Sequence, residues 1–342
     1  MPTDEEIDEQ VEALSAEDDE ARASAYEFFY SQLLQPGAGP AAAHAAPLLI
    51  GLAGDGDTPQ RSHLLELLEA LSAVASPTGD VAAGLRAGAA TYAALLKDEE
   101  ADIRLQATQL SARWHADKDA AAAALRALAE KDEDERVRAN ALLAMTSLGA
   151  PDRALAEAHF RAAEDRALER LAGATALVSQ LKGEAPAEVF EHLLAAATTD
   201  AEALDQAEVL PALGDPWGTV AAALWRAPDS LRERALTGLT EVYDAKPWAT
   251  DEQSAGLLQA ALGGKAAPEA LAALTPLQKE AIRAVAGKVA SNPGTGVAMS
   301  IQAVMRDYGL PTVASELAAL LGGSDGPASE EPAGKKKWWK LW

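Results

Sequence analysis

The sequence contains no cysteine. Disulfide frameworks, thiolate nucleophiles and cysteine-held metals are therefore excluded, and this usage fits a reducing compartment. Aromatic residues make up only 5% of the 342 positions. No run of 18 apolar residues occurs, so a membrane-spanning helix is not expected. Positive charge is scarce as well: 29 Lys and Arg stand against 53 Asp and Glu, a formal net charge of -24 that repels a phosphate backbone. Nucleic acid is excluded as a partner on that ground. The opening Met1-Pro2-Thr3-Asp4-Glu5-Glu6 is acidic where a secretory leader is basic and then apolar, which predicts a cytoplasmic protein.

What the chain has in excess is alanine, 81 residues of it. Alanine favours helix and leaves little side-chain volume, so with 49% apolar content the chain must fold by packing helices at close range. Helix signals follow one another almost without interruption. Thr3 with Glu6, and Ser15 with Asp18, have capping-box spacing, and Thr58-Pro59, Thr250 with Gln253, Thr275-Pro276 and Asn292-Pro293 mark further starts. Period-two runs of β-branched residues are missing, so no sheet is expected.

An internal comparison carries more. Leu52-Ala53-Gly54-Asp55-Gly56-Asp57-Thr58-Pro59-Gln60-Arg61 aligns without a gap on Leu95-Leu96-Lys97-Asp98-Glu99-Glu100-Ala101-Asp102-Ile103-Arg104, and with one insertion on residues 128–138. A weaker copy runs from Glu164 to Arg170. Arg61, Arg104, Arg138 and Arg170 are then 43, 34 and 32 residues apart, the range of two-helix repeats. Three residues after each arginine stands Leu64, Ala107, Ala141 or Gly173, mostly small, where neighbouring helices would approach.

Leucine pairs, an acidic turn, the aliphatic-Arg steps Ile103-Arg104 and Val137-Arg138 and the following alanine resemble the HEAT repeat family, including its short bacterial, phycobilisome-lyase-like form. The resemblance spans residues 45–182. It implies an all-α fold, a right-handed α-solenoid of stacked antiparallel helix pairs with no β-sheet. It also implies a structural role for Asp98, Arg104, Asp132 and Arg138, with turn acids and helix-starting arginines pairing between adjacent repeats. We read residues 1–36 as acidic N-terminal capping helices, 37–249 as HEAT-like repeats and 250–322 as a C-terminal helical cap. Residues 323–334 read as a flexible linker and 335–342 as a basic-aromatic tail.

No catalytic constellation is present. His44, His63, His115, His159 and His192 stand singly, without HExxH or another metal spacing, and His63 with Glu66 shares only one helical turn. There is no GxSxG and no P-loop, so no catalytic residue, metal or cofactor is expected and the chain reads as a non-enzyme. The family's di-iron hydroxylases need His-Glu steps, and its DNA glycosylases need a basic face; this sequence has neither. Trp114, Trp217, Trp225 and Trp248 read as core fillers in an alanine-rich stack. The alternative reading is a lyase-type or cofactor-handling HEAT protein with a small-molecule groove near Trp217 and Trp225.

The last eight residues differ from the rest. Lys335, Lys336, Lys337, Trp338, Trp339, Lys340, Leu341 and Trp342 hold four lysines and three of the seven tryptophans, and setting those lysines aside leaves 25 basic against 53 acidic residues. The linker before them spans roughly 18 Å as a random coil, beyond a screening length of roughly 8 Å. Such a segment can serve as a protein-docking motif, as a peripheral contact with an anionic membrane at roughly 1 kcal/mol per lysine, or fold back on its own acidic repeats. The resulting expectation is a scaffold or adaptor that binds a protein partner, with the tail as a docking motif for that partner or for a membrane.

Overall fold

In a computed structural model, residues 2–35, 39–199, 201–246 and 249–322 are described. They form twenty α-helices and two short 3-10 turns, and no β-strand occurs among them. The protein is thus an all-α chain of successive helix pairs. No helix among the described residues is long and apolar enough to cross a membrane. The chain divides into two compact units, one of residues 1–176 with Val209–Leu213, the other of Leu177–Glu208 and the described residues from Gly214 on.

The first unit holds α1 (Asp4–Leu14), α2 (Asp19–Leu33), α3 (Gly39–Gly54), α4 (Arg61–Val74), α5 (Asp80–Ala87), α6 (Ala89–Leu95), α7 (Ala101–Arg113), α8 (Lys118–Lys131), α9 (Glu135–Ser147) and α10 (Arg153–Phe160). It also holds most of α11 (Ala167–Leu181). Helices α2, α4, α7 and α9 form one row, each packed on the next, while α1 packs on α3, α3 on α5, and α8 on α9. Leu64, Ala107 and Ala141 are fully buried. The residue three after each arginine, alanine in two of these three helices, is therefore buried in the row. Within the wide 43-residue step the helix before α7 is broken at Gly88, where a Cβ would lie 2.8 Å from the Tyr92 ring and 2.9 Å from Ile50.

The second unit continues with α12 (Ala187–Thr198), α13 (Ala201–Ala207), α14 (Pro216–Trp225), α15 (Asp229–Ala245), α16 (Asp251–Leu262), α17 (Pro268–Ala272), α18 (Pro276–Ser291), α19 (Gly296–Asp307) and α20 (Ala314–Leu320). Helix α14 lies along α16, α15 packs on α16 and α18, and α18 packs on α19. Helix α16, placed by sequence at the start of a separate cap, shares this unit with α14 and α15.

Three capping boxes form as their sequences predict, Thr3 with Glu6, Thr250 with Gln253 and Thr275 with Gln278. Three expected starts move. Ser15 closes α1, and Asp18 caps α2 by accepting the Glu20 N–H at 3.0 Å, because a short carboxylate reaches the amide two residues on. Helix α4 begins at Arg61 rather than at Thr58-Pro59, since Gln60 adopts a left-handed backbone with φ of 54° and ends the turn. Asn292 caps the end of α18, and Thr295 starts α19 after a turn through Gly294.

Candidate functional site

The four structural residues named by sequence belong to one ladder. Arg61 donates to both carboxylate oxygens of Asp98 at 2.8 and 3.2 Å and to Glu100 at 3.0 Å. Arg104 grips Asp132 through Nε and Nη2 at 2.7 and 2.8 Å. Arg138 takes Glu169 through Nε at 2.8 Å and again through Nη2. Each arginine thus reaches from the first turn of its own helix to the acid of the following repeat; Arg61 and Arg104 do so by the paired fork geometry that guanidinium and carboxylate favour, whereas both Arg138 nitrogens converge on Glu169 Oε1.

The remaining nitrogen turns back. Arg104 Nη1 donates to the Asp98 and Glu99 carbonyls at 2.8 and 2.9 Å, and Arg138 Nη1 to those of Asp132 and Glu133 at 2.6 and 3.0 Å. The aspartates work twice as well: Asp98 and Asp132 each accept the backbone N–H two residues on at 3.0 Å. Burial alone would raise the Asp98 carboxyl, but the Arg61 hydrogen bond, the Glu100 N–H and the nearby guanidinium charges hold it below the usual range. Arg61 and Arg104 are raised, chiefly by the hydrogen bonds they donate to Asp98 and Asp132. These charges are paired with one another.

The third rung departs from sequence expectation. The acidic turn Glu164-Asp165 aligns with Asp98 and Asp132, yet the partner of Arg138 is Glu169, inside α11. Arg138 thus takes an acid from the third position of the following helix instead of from the turn before it. Glu135 meanwhile accepts the Leu168 and Glu169 N–H groups at 3.0 and 3.3 Å, capping α11. His159 of α10 is buried here, with Nε2 donating to the Ala129 carbonyl at 3.0 Å and Nδ1 unpartnered 3.7 Å from Glu169 Oε2.

Burial pushes the His159 imidazole down, Glu169 opposing this and Arg138 and Arg166 adding to it. A histidine depressed below its unfolded value of about 6.5 binds its proton first in the unfolded chain, so its contribution to stability is present above that pH and lost as pH falls. Glu69, pushed up to about 7 by burial, has the opposite sign between about 4.5 and 7. The test is therefore a difference. From pH 7.5 to 5 the melting temperature of the natural chain should fall further than that of His159→Gln, which keeps a donor for Ala129. Parallel curves would remove His159 from the acid response.

Two further arginines share the ladder's position within the helix, but each pairs with an acid of its own helix, Arg22 with Asp19 and Arg232 with Asp229. Arg22 occupies the fourth position of α2, donates to the carbonyl six residues back, Ala16, as Arg104 and Arg138 do, and is followed three residues later by the buried Ala25. Within the second unit Arg232 holds the fourth position of α15, 2.6 Å from Asp229, with buried Ala235 three residues on. The signal was in the sequence as arginine followed by alanine at i+3.

Trp217 and Trp225 act as packing residues. The Trp217 backbone sits against Gly256 of α16, where a Cβ would lie 3.2 Å from its carbonyl carbon, and Lys246 stacks on its ring at 4.8 Å. Trp225 covers Gly263, where φ is 73° and a Cβ would meet the indole at 2.2 Å, while Arg232 stacks on it at 5.0 Å. The void beside Trp217 is about 10 Å³, room for one water molecule, and Trp225 does not line it. An open groove of about 490 Å³ between Thr250, Gln253 and Val297 is lined by neither tryptophan. Trp114 is buried, its indole donating to Ser72 at 2.8 Å between Arg86 and Arg113. Among the described residues no group of three or more His, Asp or Glu is placed to hold a metal. Trp248 and the whole segment Lys335 to Trp342, namely Lys335, Lys336, Lys337, Trp338, Trp339, Lys340, Leu341 and Trp342, lie outside the described residues.

A polar feature unforeseen in the sequence lies on the α7–α9 row. Asn140 is fully buried, and its amide nitrogen donates to the Leu105 carbonyl at 3.1 Å and to Thr108 Oγ1. Its oxygen accepts the backbone N–H of Ala212 at 2.8 Å. Residues Val209–Leu213, which belong to this first unit, thereby pack on α7 and α9 with Leu210 and Leu213 buried.

No family model matches the sequence, and no curated protein matches it. Among solved structures, the chain is similar to the crystal structure of an engineered protein, 15% identical over 94% of this chain and 93% of that one, at a TM-score of 0.37.

Proposed function

We propose that the protein is a non-enzymatic HEAT-like scaffold or adaptor of the cytoplasm, which binds a protein partner on its repeat surface and uses Lys335–Trp342 as a second attachment point. The arginine-carboxylate ladder is the observation that carries this reading. Its charged side chains fix repeat against repeat, the arrangement a rigid platform needs, and none of them is left for acid, base or nucleophile chemistry. The packing of Trp217 and Trp225 on glycines favours this over the lyase-type alternative.

The test is affinity capture with the full chain and with a chain stopped at Ala333, read by cross-linking and mass spectrometry. The full chain should retain a protein cross-linked to its repeats, and the shortened chain should retain it at least about tenfold less well, given the avidity a tethered second contact supplies. Equal retention removes the tail from the account. Purified chain carrying a stoichiometric small molecule and no protein would overturn the scaffold reading. Sedimentation with anionic but not neutral vesicles, abolished by Lys335→Glu, Lys336→Glu and Lys337→Glu together, would assign the tail to a membrane instead.

A further inference from the structure

We infer that His159 is a proton-operated latch on the third rung of the ladder: uptake of one proton by its imidazole uncouples the α10–α11 pair from α8 and α9 while the earlier rungs stay closed.

Four helices meet at this ring. Helix α10 carries it, with the side chain 4% exposed. From α8 the Ala129 carbonyl faces Nε2 at 3.0 Å, and since a carbonyl oxygen only accepts, Nε2 carries the proton of the neutral ring and Nδ1 the lone pair. From α11 the Glu169 Oε2 atom faces Nδ1 at 3.7 Å, so an acceptor opposes an acceptor. From α9 the Arg138 guanidinium holds Glu169 Oε1 through Nε at 2.8 Å and through Nη2, and Arg166, just before α11, stands 3.7 Å from the same oxygen. Glu135 of α9 is engaged with the Leu168 and Glu169 N–H groups.

A proton arriving at Nδ1 meets an excess of positive charge. The carboxylate facing the ring already answers two guanidinium groups, and an imidazolium adds a third cation where the Arg138, Glu169 and His159 side chains are 14%, 6% and 4% exposed. Burial and both guanidinium groups hold the ring neutral against the pull of Glu169. An excess charge in such a place is relieved by water, which reaches it when the helices part.

The seam along which they part is set by the packing. A Cβ at Gly173 would lie 2.4 Å from the Phe160 nitrogen, so α11 rests directly on the α10 backbone and the two leave together. The polar ties between this pair and the helices before it are His159 on Ala129, Glu169 on Arg138, Glu135 on the start of α11, and Arg126 on Asp152 at the start of α10. The earlier rungs are built of arginine and carboxylate, groups whose ordinary titration lies outside the range in which an imidazole takes its proton.

The test is hydrogen exchange read by mass spectrometry on the full chain from pH 7.5 to 5.5, corrected for the intrinsic exchange rate. Because the opened pair takes up its proton with the ordinary imidazole value of about 6.5, the opening constant should rise roughly tenfold over this range, and protection of α10 and α11 should fall by that factor. Helix α4, where Glu69 gains its proton over the same range with the opposite sign, should hold or gain protection. In His159→Gln, which keeps a donor for Ala129, protection of α10 and α11 should be insensitive to pH. Equal loss across α4, α7, α10 and α11, or the same loss in His159→Gln, overturns the latch. Should His159→Gln not fold, the nitrogen-15 shifts of the His159 ring in the natural chain decide: a neutral ring protonated on Nε2 at pH 7 supports the latch, and an imidazolium at that pH overturns it.

Discussion

Replacing Arg138 by alanine is expected to cost about 3–5 kcal/mol, read as hydrogen exchange over α9, α10 and α11, because it strands a buried carboxylate. Arg138 makes both hydrogen bonds to Glu169 and holds the Asp132 and Glu133 carbonyls, and the side chains of this pair are 14% and 6% exposed. Removing the cation leaves Glu169 with His159 at 3.7 Å and Arg166 at 3.7 Å, neither within hydrogen-bond reach. The paired change Arg138→Met with Glu169→Gln should cost much less than Arg138→Ala, since no unpaired charge remains. A loss below about 1 kcal/mol for Arg138→Ala would class the rung with exposed ion pairs that solvent screens.

Gly173→Ala is expected to destabilise the first unit by about 2 kcal/mol, although alanine favours helix over glycine by roughly 0.5–1 kcal/mol. A Cβ at 173 would lie 2.4 Å from the Phe160 nitrogen, 2.8 Å from the Ala156 carbonyl oxygen and 2.9 Å from the Phe160 Cα. All three are backbone of α10, which cannot turn aside as a side chain can, so α10 and α11 must part at an overpacking cost of about 1–3 kcal/mol. Gly51 is the control. It lies in α3 with nothing within 4 Å of its Cβ position, and Gly51→Ala should stabilise by roughly 0.5–1 kcal/mol. Equal signs for the two substitutions, measured by urea denaturation, would refute the close approach.

Gly173 also marks how far the sequence reaches. Repeat spacing singled it out beside Ala107 and Ala141, and the arginine-acid rungs were legible because their partners sit in turns of constant composition. Glu169 was not, because it lies inside α11, where no turn motif marks it. Arg22 was hidden by its turn, Ser15-Ala16-Glu17-Asp18, which lacks the leucine pair and carries Ala16 where the later repeats have an aspartate six residues before the arginine, while keeping the arginine and Ala25. Asn140 was invisible for a different reason: its partner, the Ala212 amide, is a backbone group 72 residues away and leaves no residue-type signal. The Trp217 and Trp225 pair was correctly placed on one helix; their contacts with Gly256 of α16 and with Gly263, which caps it, are visible only in the structure.

The ladder has a consequence for how this unit comes apart. Since Arg104 and Arg138 each bind their own turn and the next repeat's acid, and nothing further, every rung is a coupling between nearest neighbours. Loss of one rung divides the row into two cooperative lengths instead of weakening all of it evenly. Opening then starts from whichever side of the broken rung has fewer helices, and the protection of an amide reports its distance in rungs from the break.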